Sequence, residues 1–245
     1  LTNDRPEPSP QHRDRSHGPS NETKLLHPLA SSYDLVDPTG PPYNADPTGS
    51  RDSTAALQAA FHAGAATNRT IFLPHGTYRV TDTLNLSLSW QGTWWPPFRV
   101  STHVIVGERR SQSAGPRPTL WLPPATAGFT NASQCKIVVR FWHTAMERQA
   151  VHREVNSDEQ PNVNINQVLQ GVDIRIGNGN RGAIGVRHQG AQGSALEDVT
   201  VWAGDGAAGI VGAAGGGGSH TNVAVVGGRF GLDFRLAQPA PTVAG

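Results

Sequence analysis

The feature that most constrains this sequence is a repeat between Val168 and Leu236. A Gly-x-x-Gly pattern recurs at steps of 24 and then 22 residues, in Gly182–Val186, Gly206–Ile210 and Gly228–Leu232. Apolar–polar–apolar triplets run in register with it at steps of 27 and then 24 residues, in Val172–Ile174, Val199–Val201 and Val223–Val225. Two strand-like series with one period of about 25 residues are typical of a solenoid. Because the alternation has no helical period, it predicts an all-β fold, a single-stranded parallel β-helix.

Glycine and asparagine punctuate this repeat where a coil has to turn. The corners are expected at Gly177–Asn180, Gly204–Gly206 and Gly227–Gly228, since these residues tolerate positive φ. The glycine-rich run over 212–218 lies inside one repeat and is followed by the next strand in step. This favours a loop leaving the coil over a linker between domains.

Composition excludes several classes of function. The net charge is +1 and the basic residues are scattered, so nothing suggests a nucleic-acid surface. No apolar run reaches the roughly 18 residues that a membrane-spanning helix needs. The single cysteine, Cys135, cannot form an internal disulfide. The ten histidines are dispersed, and the glycine runs do not follow a phosphate-binding pattern, so we expect neither a metal site nor a cofactor.

The two ends of the chain differ from the repeat. Residues 1–30 are rich in Pro, Asp, Arg, His and Ser, and they contain too few apolar side chains to offset the entropy of ordering. We therefore expect a disordered polar arm over 1–30 and one β-helix domain over 31–245. The sequence ends directly after a coil without a capping pattern, and an open β-helix end is sticky. We accordingly expect further coils, or a second β-helix domain, C-terminal to this chain.

Four N-glycosylation sequons begin at Asn21, Asn68, Asn85 and Asn131. Four sequons exceed the one or two that we expect by chance in a chain of this length. They predict a secreted glycoprotein. The alternative, that most of them are never modified, stays open.

A short helix is predicted ahead of the first strands. Asp52 or Ser53 can cap it, and its apolar positions follow the 3.6-residue period. The strands Thr70–Leu73 and Thr77–Val80 follow, on either side of a Pro-His-Gly turn. Such a helix would cover the apolar core and the free strand edges at the open end of a β-helix.

These N-terminal motifs resemble the signature of the pectate-lyase superfamily, in particular its pectate lyase 3-like proteins. The resemblance lies in Tyr43–Ala60 and Ile71–Tyr78, and it continues through Val104–Arg109 into the repeats. It implies a right-handed, pectin lyase-like parallel β-helix. The superfamily includes the exo-β-1,3-glucanases of glycoside hydrolase family 55, in which catalytic residues lie further along the chain than the part matched here. The sequence departs from the pattern at His75 and lacks one acidic residue of the usual Asp-Asp pair near the helix start.

Two groups of residues are candidates for contact with a sugar. Trp90, Trp94 and Trp95 lie close together on a loop, where their rings would suit stacking on sugar C–H faces. The alternative is that they cover the first coils. Arg187 and His188 are predicted on an outward strand, where they would meet an acidic sugar or, the favoured interpretation, face solvent.

Two catalytic carboxylates of a β-helical enzyme are expected to stack in successive coils. A retaining glycosidase needs two carboxylates about 5 Å apart, and an inverting one roughly 6.5–9.5 Å. The candidates are Asp173, Asp198, Asp205 and Asp233. Asp173 is followed one coil on by a threonine and Asp198 by an asparagine, Asp205 lies in a Gly-Asp-Gly corner, and Asp233 follows the last Gly-x-x-Gly piece. No pair emerges, so the catalytic residues are expected outside this chain.

Three functions follow as hypotheses. The first is a secreted carbohydrate-active protein, the N-terminal β-helix of a glycoside hydrolase that acts on a polysaccharide such as β-1,3-glucan. The near-zero net charge favours a neutral substrate, because a binder of a polyanion would be expected to carry a basic groove. The second is a lyase or a polygalacturonase-like enzyme acting on a polyuronate. The third is a non-catalytic carbohydrate-binding or structural β-helix.

Overall fold

The computed structural model describes residues 33–88, 102–109, 116–143, 165–235 and 242–245. The predicted N-terminal arm lies outside these ranges. Within these ranges the helix α1 comes first and the strands follow it along the chain. Their bounds are α1 at Thr54–Thr67, β1 at Ile71–Leu73, β2 at Thr77–Arg79, β3 at Leu84–Leu88, β4 at Val104–Gly107, β5 at Thr119–Leu122, β6 at Lys136–His143, β7 at Val168–Gln170, β8 at Asp173–Ile176, β9 at Ala183–His188, β10 at Ala195–Gly204, β11 at Ala208–Val211, β12 at Ser219–Gly227, β13 at Phe230–Asp233 and β14 at Thr242–Ala244.

All strand pairs within the described ranges are parallel, and they form two sheets. The first sheet has the order β1-β4-β7-β10-β8-β5-β2, with β12 on the other edge of β10 and β14 beyond it. The second has the order β13-β11-β9-β6-β3. The long strand β10 pairs with β7 through its first residues and with β8 through Val201 and Trp202. Parallel sheets in which each strand stacks on the strand one coil earlier are consistent with a parallel β-helix.

The register confirms the repeat that the sequence predicted. Ile184 pairs with Ala208, and Ala208 pairs with Phe230, as the Gly-x-x-Gly alignment requires. Val201 pairs with Ile174 and with Val225, as the triplet alignment requires. The predicted strands Thr70–Leu73 and Thr77–Val80 are also observed, each one residue shorter, as β1 and β2.

The helix α1 packs one apolar stripe onto the core. Its buried positions are Leu57, Ala60, Phe61, Gly64 and Ala65, which follow the i, i+3, i+4, i+7, i+8 spacing of an amphipathic helix. Ser53 is the N-cap residue, but its side chain forms no capping hydrogen bond. Asp52 instead accepts hydrogen bonds from the backbone N–H and the hydroxyl of Thr54, at 3.0 and 2.6 Å. Both predicted capping residues therefore lie at the helix start, with divided roles.

The same helix forms hydrogen bonds with the backbone of the edge strand of the second sheet. Among the described strands β3 is the edge strand of this sheet, so none of them pairs with the backbone groups along its outer side. Gln58 supplies partners, since its Nε2 donates to the carbonyl of Asn85 at 2.8 Å and its Oε1 accepts from the N–H of Asn85 at 2.7 Å. A helical side chain thus continues the hydrogen bonding of the sheet where the strands stop.

The core lies between the sheets as columns of stacked side chains. One column runs Ile71, Ile105, Leu169, Leu196 and His220, each in register with the next. The last strands leave apolar side chains in contact with solvent. Val243, which is in register with His220, is 49% exposed, and Leu232 in β13 of the second sheet is 43% exposed. The glycine-rich run over 212–218, predicted as a loop leaving the coil, instead packs against it, because Ala213 and Ala214 are buried.

Candidate functional site

A cavity of about 620 Å³ lies on the second sheet, at the outer face of β9, β11 and β13. Side chains one coil apart form its floor, because Ile184, Ala208 and Phe230 are in register. The walls carry charge, with three arginines and two carboxylates. The lining residues that matter for chemistry are Cys135, Arg181, Asp205, Arg229, Asp233 and Arg235.

Asp205 lies at the corner between β10 and β11, as the Gly-Asp-Gly pattern predicted. Both of its carboxylate oxygens accept a hydrogen bond from the backbone N–H of Gly179 in the preceding coil, each at 3.0 Å. Arg181 lies 4.0 Å away and completes the charge contact. The side chain of Asp205 is 41% exposed. It therefore stabilises two stacked corners and still presents its charge to the rim of the cavity.

Asp233 and Arg235 form an ion pair at the opposite end of the cavity. Arg235 donates to the two carboxylate oxygens from Nε and Nη2, at 2.8 and 2.5 Å. This side-chain hydrogen bonding is the largest influence on the carboxyl group and lowers the pKa of Asp233 below its ordinary value. Asp233 is therefore ionised at neutral pH and accepts hydrogen bonds rather than donating a proton.

Arg229 is the cavity arginine without a carboxylate partner among the described residues. Its guanidinium lies over the ring of Phe230, 5.4 Å from the ring centroid, and Phe230 is 48% exposed. An aromatic ring with a cation above it presents a flat apolar surface next to a fork of hydrogen-bond donors.

The two cavity carboxylates do not form a hydrolytic pair. Asp233 is in register with Val211 at the end of β11, and Asp205 precedes the start of that strand. The row of Ala208 and the row of Val211 are already about 10 Å apart along the strand. This spacing exceeds the roughly 5 Å of retaining glycosidases and the upper limit of about 9.5 Å for inverting ones.

The two other carboxylate candidates are held by arginines outside this cavity. Asp173 is 5% exposed and accepts from Arg117 Nε at 2.8 Å and from the N–H of Thr200 at 3.0 Å. Arg117 also donates to the hydroxyl of Thr200, so the three residues tie two successive coils together.

Asp198 stacks on Asn222 of the following coil, inside strands β10 and β12. Asp198 and Asn222 lie one coil apart, both in the left-handed region with φ of 52° and 51°. Asn222 Nδ2 donates to Asp198 Oδ1 at 2.5 Å, and Arg109 forms an ion pair with the same carboxylate. The column predicted between Asp198 and Asn222 is thus observed, and its hydrogen bond and ion pair stabilise the left-handed positions inside the two strands.

The prediction that Arg187 and His188 form a solvated outward face is wrong. His188 is fully buried and Arg187 is 9% exposed. His188 lies inside the fold, in edge contact with the ring of Phe141 and 3.1 Å from His220. The apolar–polar alternation of a strand does not predict the burial of His188. In sequence, a histidine that bonds an interior partner cannot be distinguished from one that faces solvent.

The remaining predicted residues divide by position. Trp90, Trp94, Trp95 and Asn21 lie outside the described residues. Asn68 and Asn131 are exposed, and Asn68 is the left-handed C-cap of α1. Asn85 is half-buried in β3, with its backbone bonded to Gln58.

Sequence reasoning missed the three cavity arginines. One signal was present: Arg181 and Asp205 precede successive Gly-x-x-Gly pieces at the same repeat position. Residues one coil apart stack, so this alignment predicts their contact. Arg235 follows β13 and the last Gly-x-x-Gly piece, so no later repeat in the sequence predicts its position.

Within the described residues, no three His, Cys, Asp or Glu side chains are grouped so as to hold a metal ion. A membrane-spanning candidate, meaning a helix of sufficient length and apolar character, is not found among them either.

Comparison with known proteins gives one family match. Residues 42–109 match the family described as Rhamnogalacturonase A/epimerase, pectate lyase-like. The matched segment contains α1 and β1–β4, and it agrees with the parallel strand arrangement described above. No curated protein matches the sequence.

Two solved structures are similar to the chain at low identity. The Agl-KA catalytic domain is 16% identical with a TM-score of 0.32, over 86% of this chain and 48% of that domain. This chain thus spans about half the length of that domain. A predicted glycosyl hydrolase from Parabacteroides merdae is 12% identical with a TM-score of 0.30, over 82% of this chain and 91% of that one.

Proposed function

We propose that the chain is the β-helical part of a carbohydrate-active protein and that a polysaccharide binds in the arginine-lined cavity. The observation that carries the proposal is the pairing of Phe230 with Arg229 in a cavity of about 620 Å³. The C–H face of a sugar ring stacks on an apolar aromatic surface. A guanidinium beside that surface binds hydroxyl or carboxylate oxygens of the same sugar.

The fold supports this proposal through its match to the pectate lyase-like family over residues 42–109. We propose a right-handed, single-stranded β-helix over 31–245, with α1 lying across its first coil as a cap. The hydrogen bonds from Gln58 to the edge strand β3 support the capping role. Each coil would then add one rung to a continuous outer surface on which an extended polymer can lie.

The expected reaction class is glycoside hydrolysis, with β-1,3-glucan as the polymer anticipated from the resemblance to family 55. Asp205 and Asp233 are too far apart to serve as a hydrolytic pair. A hydrolase would therefore complete its acid and base with groups other than these two. The cavity itself provides binding and orientation.

A polyuronate is the second candidate substrate, and the arginines favour it. The cavity lining carries three arginines and two carboxylates, and Arg181 and Arg235 pair with Asp205 and Asp233. One positive charge, that of Arg229, therefore remains for the ligand. A guanidinium binds a sugar carboxylate through two parallel charge-assisted hydrogen bonds, which are stronger than those it donates to the neutral hydroxyl groups of a glucan. The name of the matched family, Rhamnogalacturonase A/epimerase, also points to a polymer that contains acidic sugars.

Secretion remains part of the proposal. The sequons at Asn68 and Asn131 are exposed, so a glycan can be attached there without unfolding the chain. A secreted protein would meet its polysaccharide outside the cell.

Binding and product formation test the proposal together. The full chain is titrated with laminarin-type glucan and with polygalacturonate, and the release of reducing ends and of unsaturated uronate is followed. Arg229→Gln should weaken binding about tenfold, because a charge-assisted hydrogen bond is lost. Arg51→Gln, which removes an arginine that is 72% exposed and far from the cavity in sequence, serves as the control. If neither polymer binds and neither product appears, the proposal is rejected.

A further inference from the structure

A second surface with charged and aromatic side chains lies on the first sheet, whereas the cavity lies on the second. Its members occupy one outward row of strands β2, β5, β8 and β10, each in register with the next: Arg79, Trp121, Arg175 and Trp202. We call this row the Arg–Trp column. Val226, 55% exposed, is in register with Trp202 one coil further on.

The burial pattern shows that the column faces outward. Arg175 is exposed between buried Ile174 and Ile176 in β8. Trp121 is half-buried between buried Leu120 and Leu122 in β5. Indole rings on the outer face of a sheet leave apolar surface in contact with water, whereas the inner positions of the same strands already fill the core.

Spacing makes the column a regular platform. Strands one coil apart are about 4.8 Å apart, so Trp121 and Trp202 are about 10 Å from each other, as are Arg79 and Arg175. The guanidinium of Arg175 lies 5.9 Å from the ring centroid of Trp202. Cation and aromatic ring thus alternate at the distance by which successive sugars advance in an extended polysaccharide.

The charge on this face is positive. Asp173, in the neighbouring outward row, is 5% exposed and neutralised by Arg117. Asp52 lies next to Arg79 at one end of the column, and its oxygens accept hydrogen bonds from Thr54 and Thr81. Among the described residues Arg175 has no carboxylate partner, so its charge is available to a ligand.

We infer that the Arg–Trp column is a second binding surface for an acidic polysaccharide, which lies across the strands of the first sheet. Sugar rings stack on Trp121 and Trp202, and uronate carboxylates pair with Arg175 and Arg79. Charge complementarity selects the acidic polymer, because a neutral glucan leaves the arginines without partners. The inference rests on the proposed polysaccharide ligand but concerns another face of the protein.

Matched variants test the column. In the full chain, Arg175→Gln and Trp202→Ala should each weaken polygalacturonate binding about tenfold, since a charge-assisted hydrogen bond or a stacking contact is lost. Arg175→Lys should recover part of the affinity by keeping the charge. Arg69→Gln removes an arginine outside this row, whose guanidinium is bonded to the carbonyls of Asp34 and Leu35, and should bind as the unchanged protein does. The affinity should fall as salt is added. Equal unfolding midpoints show that each variant is folded.

Tryptophan fluorescence provides a second measurement that does not depend on a loss of affinity. Stacking of a sugar on an indole changes its emission, so polygalacturonate should shift the spectrum of the full chain. Trp202→Phe should remove part of that shift, even if the variant still binds.

The outcomes separate this inference from the proposed function. If Arg229→Gln weakens binding while Arg175→Gln and Trp202→Ala do not, the column is rejected and the cavity stands. If a neutral laminarin-type glucan binds the column as tightly as polygalacturonate, the acidic ligand is rejected. If polygalacturonate does not bind at all, the column is rejected, whereas glucan binding that depends on Arg229 keeps the proposed function.

Discussion

His188 and His220 lie side by side in the interior, with Nδ1 of the first 3.1 Å from Nε2 of the second and ring centroids 5.2 Å apart. Both side chains are fully buried. His188 Nε2 also contacts the carbonyl of Gln167 at 2.9 Å, and the N–H of Ala214 donates to His220 Nε2 at 3.3 Å. Two imidazolium groups at this distance would repel each other without water to screen them, so the buried pair does not carry two charges.

The histidine pair predicts a loss of stability in mild acid. Burial lowers the pKa of His188 to about 3 and that of His220 to about 4, from 6.5. In the unfolded chain both groups bind protons below pH 6.5, whereas the folded chain resists protonation. The stabilisation is therefore complete above pH 6.5 and is lost as the pH falls towards 4, by roughly 3 kcal/mol for each histidine. Urea denaturation at a series of pH values measures this loss.

A variant identifies the source of that acid sensitivity. His220→Gln should have a shallower dependence of unfolding free energy on pH between 6.5 and 4, because one titrating group is removed. His62→Gln changes an exposed histidine on the helix and should leave the dependence as it is. An unchanged slope in His220→Gln would show that other groups cause the acid sensitivity.

The glycines of the repeat predict a pair of opposite results. A Cβ at Gly209 would lie 2.3 Å from Val225 Cγ1 and 2.9 Å from the carbonyl oxygen of Gly231, whereas a Cβ at Gly231 would meet nothing within 4 Å. Gly209→Ala should therefore lower the unfolding free energy by about 1–3 kcal/mol through overpacking. Gly231→Ala should change it by less than about 0.5 kcal/mol. Chemical denaturation of the two variants makes the comparison at equivalent repeat positions.

The hydrogen bonds of Asp173 predict that its replacement lowers the stability of the fold. Its removal leaves the N–H of Thr200 and the guanidinium of Arg117 without their shared acceptor. Asp173→Ala should lower the unfolding free energy by about 2 kcal/mol, while polysaccharide binding in the cavity is retained by the folded fraction. A binding loss in Asp173→Asn at unchanged stability would instead assign Asp173 to the ligand site.

The three sequons in the described chain should differ in use. Asn68 and Asn131 are exposed, whereas Asn85 is half-buried in β3 beside Gln58. When the chain is produced in a host that glycosylates secreted proteins, we expect glycans at Asn68 and Asn131 and an unmodified Asn85. Mass spectrometry of glycopeptides measures the occupancy of each site. A fully occupied Asn85 would mean that the glycan is added before α1 packs on β3.

The sequence alone determined the repeat and therefore the strand register. A fixed period makes equivalent residues stack. The repeat therefore predicts that Ile184, Ala208 and Phe230 lie in one row, as they do in the structure. Turn chemistry is equally local, because the carboxylate of an Asp-Pro-Thr-Gly segment accepts a hydrogen bond from the backbone N–H two residues on, as Asp46 does from Thr48 at 3.0 Å. These features depend on short segments, whose chemistry acts within a few residues or one coil.

Only the tertiary structure decided which polar residues are buried and which line a site. His188 was assigned to the surface because strand alternation cannot distinguish a solvated histidine from one that bonds another histidine 32 residues away. Arg235 lines the cavity after the end of β13, and the Arg–Trp column follows from stacking strands β2, β5, β8 and β10 in register. The side chains in such sites come from distant coils, so their proximity is a property of the folded chain and not of any one segment.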